Sequence, residues 1–433
     1  MNRRAGYQAA LSFAVLLGVS TAAPAQDVSN AAPARESVLY RFTGGRDGSV
    51  PLAGLLRDAA GSLYGTTSQG GGSNSGTVFE LNPPAAGQTR WSEIVLHRSR
   101  GPAVGDAFDF QAGLATDAAG VLYGTSARGG LGDGTVFQLI GVSETETLLY
   151  RFLDGFAGST PVAGLIRDPH GVFYGTTAGG GGHGFGTVFA LTPPKTGKTK
   201  WTEQVLYRFA GGPKDGADPQ SGLLMDGATL YGTTLNGGPG DFGTVFALTP
   251  PAARGIGWNE KVLYIFKGGT DGASPEGGLI IDARGALYGT TLGGGNSACG
   301  PNGCGTVFKL SPPAAGGRLW TKTVLYRFRG GTDGFGPLAG LIGDTNRALY
   351  GTTGFGGTGC PDGCGTVFEL TPPAAGRNMW TETVLYAFRG GRDGERPAAG
   401  LVADAKGVLY GTTELGGTGC DDTGCGTVFK VIP

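Results

Sequence analysis

The feature that most constrains this chain is a phase mismatch between its two ends. One sentence of sequence, built around Tyr-Gly-Thr, is written seven times. The copies begin at Tyr64, Tyr123, Tyr174, Tyr231, Tyr288, Tyr350 and Tyr410, at intervals of 51 to 62 residues. Self-similarity at such a period signals one supersecondary unit per copy. Each copy holds four short runs with strand chemistry. In the third copy run a is 164–168, run b 173–177, run c 186–191 and run d 205–209. The chain, however, opens on a d run (38–42) and closes on a c run (426–431). The last unit therefore lacks a d run, and the amino end has one to spare. Pairing the two completes a ring and leaves no broken unit at the join. A linear stack would need polar capping repeats instead. The expectation is an all-β, seven-bladed β-propeller of four-stranded antiparallel blades, its last blade completed by the N-terminal outer strand. The blades are expected at about 50–98, 107–152, 160–209, 218–266, 274–328, 336–388 and 396–433 with 38–42, forming one domain over 38–433.

Glycine makes up 87 of the 433 residues. Such a content would suggest low complexity, but these glycines recur in register with apolar residues, as disorder does not require. The glycine before leucine in run a (Gly54, Gly113, Gly164, Gly222, Gly278, Gly340, Gly400) suits close approach of inner strands around an axis. Leu63, Tyr64, Val78 and Phe79 of runs b and c are expected between blades. The aspartate ending run a, as at Asp58 and Asp168, reads as an Asx turn closing a hairpin. Trp91, Trp201, Trp258, Trp320 and Trp380 precede run d and are expected to dock each blade on its neighbour. Unit two lacks this Trp and has a shortened link at 140–143, so it should be the least regular blade.

The first 25 residues have the form of an export signal: a basic Asn2-Arg3-Arg4 start, a short apolar run over 9–19 and a small-x-small Ala23-Pro24-Ala25 site. Cleavage after Ala25 would leave a short linker, 26–37, and place the chain in the periplasm or outside the cell. No other apolar run has the length of a membrane span. The 33 basic and 34 acidic side chains give no electrostatic reason to expect nucleic acid. Six cysteines form three close pairs, Cys299/Cys304, Cys360/Cys364 and Cys420/Cys425, each between runs b and c of its own unit. In an oxidising compartment these read as local disulfides that stiffen the loops carrying them. The rival reading, a thiolate metal site, lacks any accompanying histidine.

Run a, its turn, Leu-Tyr-Gly-Thr-Thr, the glycine loop and Gly-Thr-Val-Phe together resemble the GloVer tandem-repeat, or choice-of-anchor, family of exported bacterial proteins. The resemblance spans 38–433, with Thr125-Ser126 and the short loop of unit two departing from the pattern. It implies export and tandem repeats and supplies no functional residues. No apolar tail follows the last repeat, so a surface anchor is not expected from this sequence.

In a propeller the b–c and d–a connections share a face. Both variable loops of this repeat are therefore expected on one side, where variable loops on a constant scaffold tend to bind. Three readings follow. The first is a non-enzymatic, monomeric module of the envelope or extracellular space, binding a polysaccharide, envelope component or protein through this face. Its candidates are Asp47, Asp215, Asp271, Asp333 and Asp393 of the d–a loops, with His183, Phe185, Asn236 and Phe242. The second is an exported hydrolase or lyase acting on polysaccharide at the central opening. The third is a propeller stabilised by calcium at the Asp-Gly loops. No catalytic constellation, metal set or other cofactor site is evident. Gly-x-Ser-x-Gly, His-Glu-x-x-His and the calcium-loop consensus are missing, and His97, His170 and His183 have no obvious partners in sequence.

Overall fold

The two ends of the repeat array meet. In the computed structural model the strand Arg35–Arg41 runs antiparallel beside Thr427–Ile432, with Arg35 opposite Ile432 and Arg41 opposite Thr427. The structure describes residues 34–433 except 131, 142–145, 154, 252–256, 315–316, 361–362, 375 and 421–422. The expected signal and most of the linker lie outside the described residues. The closing strand starts three residues earlier than expected, so 35–37 belong to the seventh blade rather than to a linker.

Seven four-stranded antiparallel sheets make the fold, and the described residues contain no α-helix. In the third blade the strands, from the axis outwards, are Ile166–Arg167 (a), Phe173–Thr177 (b), Thr187–Thr192 (c) and Thr202–Arg208 (d). Strand a has only two paired residues, because the glycine before it belongs to the axial ring. Strand d begins three residues before the expected run and carries a bulge: Val205 faces Phe189 and Tyr207 faces Val188, leaving Leu206 unpaired. The same shift recurs between strands c and d of all seven blades. A bulge increases twist.

The repeated words have definite jobs. The glycine of Tyr-Gly-Thr lies under the phenylalanine of Gly-Thr-Val-Phe. A Cβ on Gly65 would come within 2.5 Å of the Phe79 ring, and one on Gly411 within 2.6 Å of Phe429. The first threonine of strand b donates to a carbonyl of the next blade: Thr66 to Ala112, Thr125 to Ala163, and finally Thr412 back to Ala53. The second bonds the threonine opening strand c, as in Thr67 with Thr77. At the centre the run-a glycines form their own ring. Hypothetical Cβ atoms on Gly113 and Gly54 would meet the Gly54 and Gly400 carbonyls at 3.2 Å, so bulkier residues would push the inner strands apart.

Between blades, a phenylalanine that follows strand d meets the strand-c phenylalanine of the next blade edge-to-face. The seven pairs, from Phe42–Phe79 to Phe388–Phe429, have centroids 4.9–5.3 Å apart. Such pairs add about 0.5–1.5 kcal/mol beyond burial. After the outer strand of blade one this phenylalanine is replaced by Ser99, and Phe110 from the following loop takes its place against Phe137. The tryptophans dock as expected: Trp91 meets Tyr410 and Trp258 meets Tyr174, each on the preceding blade. Blade two, without a tryptophan, has a shortened outer strand, Thr147–Arg151. The loop leading into it, which carries the 3-10 turn Pro102–Val104, is one or two residues longer than its counterparts.

Candidate functional site

Each d–a loop bridges the b–c loop of the blade it enters. Examples are Ser49 with Gln69, Ala273 with Gly293 and Glu395 with Leu415. Both variable loops therefore share one face.

The d–a aspartates have internal work. The Asp271 carboxylate accepts from Tyr264 Oη (2.8 Å) and from the Lys267 backbone N–H (3.0 Å). Asp47, Asp215, Asp333 and Asp393 repeat this pair of bonds with Tyr40, Tyr207, Tyr326 and Tyr386. Each carboxylate is tied to the outer strand that precedes it, so the five lie one per blade boundary and share no common centre. A third group completes the arrangement, four residues before the tyrosine position on the next blade's outer strand. Glu93 faces Tyr40 and Asp47, Glu260 faces Asp215, Glu382 faces Asp333, and Glu36 closes the circle against Asp393. One oxygen of each of these glutamates is buried without a hydrogen-bond partner. Burial pushes the glutamates up, to about 7 for Glu36, Glu93 and Glu260 and about 8 for Glu382; the facing aspartate adds to the rise. Burial and a neighbouring carboxylate both favour the glutamate that keeps its proton. At one boundary the glutamate is Lys322, whose side chain is only 3% exposed. Its ammonium bonds the Asp271 carboxylate (3.0 Å) and backbone carbonyl, over the Phe266 ring. The sequence marks these aspartates as turn formers or ligands. It does not show that each meets a tyrosine of its own strand and, across a blade boundary, a glutamate or Lys322, although the four-residue spacing before the tyrosine is a readable signal.

The three cysteine pairs, Cys299–Cys304, Cys360–Cys364 and Cys420–Cys425, are disulfides, with Cα–Cα separations of 5.1–5.6 Å. They staple the b–c loops of blades five to seven against the glycine pair that follows strand d; Gly330 lies under Cys299 and Gly390 under Cys360. The three local bridges form as expected, and each also reaches into the core. Cys304, Cys364 and Cys425, the second cysteine of each pair, are fully buried. Each stands immediately before the glycine that opens strand c and packs into the core between blades: Cys304 with Val307 and Phe328, Cys364 with Val367 and Phe388, and Cys425 with Phe42 and Val428. A thioether-like sulfur is apolar enough to replace a hydrocarbon there. Half of each bridge is therefore core, and Cys304, Cys364 and Cys425 offer nothing to a ligand on the loop face. Three disulfides are the mark of an oxidising environment. In blades three and four an aromatic ring takes the staple position: Phe185 covers Gly211 and Phe242 covers Gly268. Both expected ligand contacts are thus also loop staples. Phe185 is 41% exposed, His183 is exposed beside it, and Asn236 pairs with Ala217 in a short loop ribbon.

Phe242 has company. A groove of about 630 Å³ on this face is lined by Phe242, Phe335 and Phe355, by Asn296 and Asn302, and by the glycines of the fifth b–c loop. Phe335 and Phe355 are stacked, centroids 5.2 Å apart. The Arg396 guanidinium stands over Phe355 at 5.3 Å and pairs with Glu414 at 3.1 Å. Phe335, Phe355 and Arg396 do not stand out in the sequence, because their positions in the repeat are variable.

Arg396 leads to the axial mouth. Val50, Asp109, Thr160, Asp218, Ser274 and Arg396 hold one position of the repeat, with φ of 55–61°. In this left-handed region β-branched residues are rare and strained. The loop backbone fixes them on both sides. The Arg396 N–H donates to the Cys364 carbonyl of the preceding blade, and its own carbonyl accepts from Glu414. Glu276, two residues before the axial Gly278, feels Arg396 of blade seven and Asp218 of blade four. Burial pushes Glu276, Asp218 and Glu414 up. The mouth therefore holds unrepeated charge, while the ring below it is glycine backbone.

The model of the Gloeobacter/Verrucomicrobia repeat matches the chain three times, over 28–246, 111–317 and 230–433. No curated protein matches. Among solved structures, an oxidoreductase (glucose dehydrogenase) from Thermus thermophilus is 18% identical, with a TM-score of 0.43 over 74% of this chain and 96% of its own. A puromycin-hydrolyzing peptidase from Mycobacterium tuberculosis is 12% identical, with a TM-score of 0.47 over 86% of this chain and 51% of its own. At this distance neither says anything about activity. The repeat matches, covering the whole array, place the chain in the Gloeobacter/Verrucomicrobia repeat family.

Proposed function

We propose that the chain is an exported binding module that takes a polysaccharide on the b–c/d–a loop face. The observation that supports this reading is the groove of Phe242, Phe335 and Phe355 with the Asn296 and Asn302 amides. Flat rings stack on the apolar faces of sugars, and amides bond their hydroxyls. Binding sites of this kind combine apolar lining with a few placed polar groups. The arrangement breaks the repeat, whereas the rest of the loop face is loop-closing hardware. The reading includes removal of residues 1–25 on export and action as a monomer in the periplasm or outside the cell. The test is a glycan array on the mature protein with Phe355→Ala as control. Selective binding that the variant loses supports the reading; no glycan bound, or binding unchanged in Phe355→Ala, overturns it.

The second reading, a hydrolase or lyase, has one observation in its favour. Glu276, raised by burial and by Asp218, feels the Arg396 guanidinium at the axial mouth. A buried carboxyl beside a guanidinium can serve as a general acid. Hydrolysis of a bound glycan, lost in Glu276→Gln with binding retained, would establish it.

A further inference from the structure

One boundary departs from the tyrosine–aspartate–glutamate pattern in a way that changes its chemistry. Between blades one and two, His97 stands where the other outer strands carry tyrosine. It faces Val78 across the sheet, as Tyr207 faces Val188. The aspartate position is Asp106, set nine residues on by a longer loop, against seven or eight residues between tyrosine and aspartate at the other boundaries. The glutamate position is Glu146 of blade two. The donor set thus becomes one imidazole nitrogen and two carboxylates.

Their geometry is close. His97 Nε2 and Glu146 Oε2 are 3.5 Å apart, with the side chains 1% and 4% exposed. One donor atom from each of the three residues lies within 4.8 Å of the others. Four donors about 2.1 Å from a zinc ion in a tetrahedron lie roughly 3.4 Å apart. The His97–Glu146 edge already has that length, and the Asp106 edges need a small rotation. Glu146 Oε1 is held by the Ala107 N–H at 2.7 Å, an orienting bond of the kind that outer groups give metal ligands. Glu146 Oε2 is buried, has no hydrogen-bond partner and is aimed into the cluster. Asp106 receives the Arg100 backbone N–H, Nε and Nη2, each at 3.0 Å. Arg100 is 66% exposed and can release one oxygen at small cost. The other boundaries settle their charge with a protonated glutamate or, at Lys322, an ammonium. Replacing a phenol with an imidazole turns the same cavity toward first-row divalent ions.

We propose that His97, Asp106 and Glu146 form a zinc-type divalent metal site that ties blade one to blade two. Three protein ligands leave a fourth position for water.

The test uses the mature protein without a polyhistidine tag, stripped with chelator and titrated with Zn²⁺ by calorimetry and with Co²⁺ by visible absorption. The expected result is one ion per chain, a higher Tm with Zn²⁺ and the intense Co²⁺ bands of a low-coordinate site. His97→Tyr restores the residue that the other boundaries carry, so it should fold; it should lose the Co²⁺ bands and bind Zn²⁺ at least tenfold more weakly. Glu146→Gln should do the same. No binding by the parent protein, equal binding by folded His97→Tyr, or uptake of further ions by the oxygen-only boundaries would each overturn the assignment.

Discussion

The buried glutamates at the blade boundaries should make this protein lose stability as pH rises through neutrality, opposite to the usual behaviour of carboxylates. The sign follows from linkage. In the unfolded chain a glutamate titrates near its ordinary value of 4.5; in the fold Glu36, Glu93 and Glu260 titrate at about 7 and Glu382 at about 8. Between these values the folded chain holds more protons than the unfolded one. The contribution is complete below about pH 4.5 and disappears as pH rises through about 7 to 8. One fully excluded proton is worth about 1.4 kcal/mol per pH unit. These side chains are only half-buried, so solvent screening brings the total to about 1 kcal/mol each. Four glutamates then give about 4 kcal/mol between about pH 5 and pH 8. With an unfolding entropy near 2.1 cal/mol/K per residue, a chain of this size shifts by roughly 1 °C per kcal/mol, so Tm should fall by about 5 °C. The assay is thermal unfolding followed by circular dichroism at constant ionic strength, on the mature protein and on Glu36→Gln/Glu93→Gln/Glu382→Gln. Glutamine keeps the shape and cannot ionise, so the variant should show less than half the slope. A parent Tm that is flat or rises over this range, or a variant with the full slope, would refute the account of protonated boundary glutamates.

Other outcomes follow from the packing. A Cβ on Gly351 would lie 2.7 Å from the Phe368 ring, whereas one on Gly72 meets nothing within 4 Å. Gly351→Ala should therefore cost about 1–3 kcal/mol in denaturant unfolding, and Gly72→Ala nothing measurable. Phe42 is fully buried at the join between the last blade and the first. Phe42→Ala should cost about 3–5 kcal/mol and expose the amino-terminal strand to protease before the rest of the fold opens. Reduction of the disulfides should lower Tm modestly, by about 2 kcal/mol per bridge at most for loops this short. It should also weaken any ligand of the groove, whose wall includes Cys299.

The fold was legible because its rules are written in copies. The phase shift between 38–42 and 426–431 names the strand pair that closes the ring, and no local propensity could have done so. Strand b was readable to the residue, since Phe173–Thr177 lies between clear turn residues. Strand d was read short. Its first half, Thr202 to Gln204, is polar, and Glu203 turns inward to accept from Tyr150 of the preceding blade, which hydrophobic pattern does not register. The cysteine pairing was plain from spacing, but the burial of Cys304 and Cys425 was not, because it depends on the neighbouring blade. The groove was half legible. Phe242 stood out as a loop aromatic, but Phe335 and Phe355 come together only because the sixth d–a loop bridges the sixth b–c loop. The histidine cluster was not legible at all from one unit. His97, Asp106 and Glu146 belong to two blades, and their meeting follows from the circular order of those blades.

That circular order also separates scaffold from candidate function. A position filled identically in seven blades is answering a demand that all blades share: glycine beneath a phenylalanine, threonine bonded to the next blade, aspartate closing a turn. The demand is steric or hydrogen-bonding, and it is met seven times because the ring has seven equivalent boundaries. A chemical site has no such reason to repeat, since one ligand contacts one place. The exceptions gather in two regions. Around the groove and axial mouth, Phe335, Phe355, Arg396, Glu276 and Glu414 depart from the repeat. At the boundary of blades one and two, His97, Ser99 and a longer loop replace tyrosine, phenylalanine and a shorter loop together. The second set is compensated rather than merely lost, because Phe110 restores the missing ring contact at 5.2 Å. Retaining the aromatic packing while exchanging the phenol for an imidazole keeps the boundary closed and alters only what it can bind.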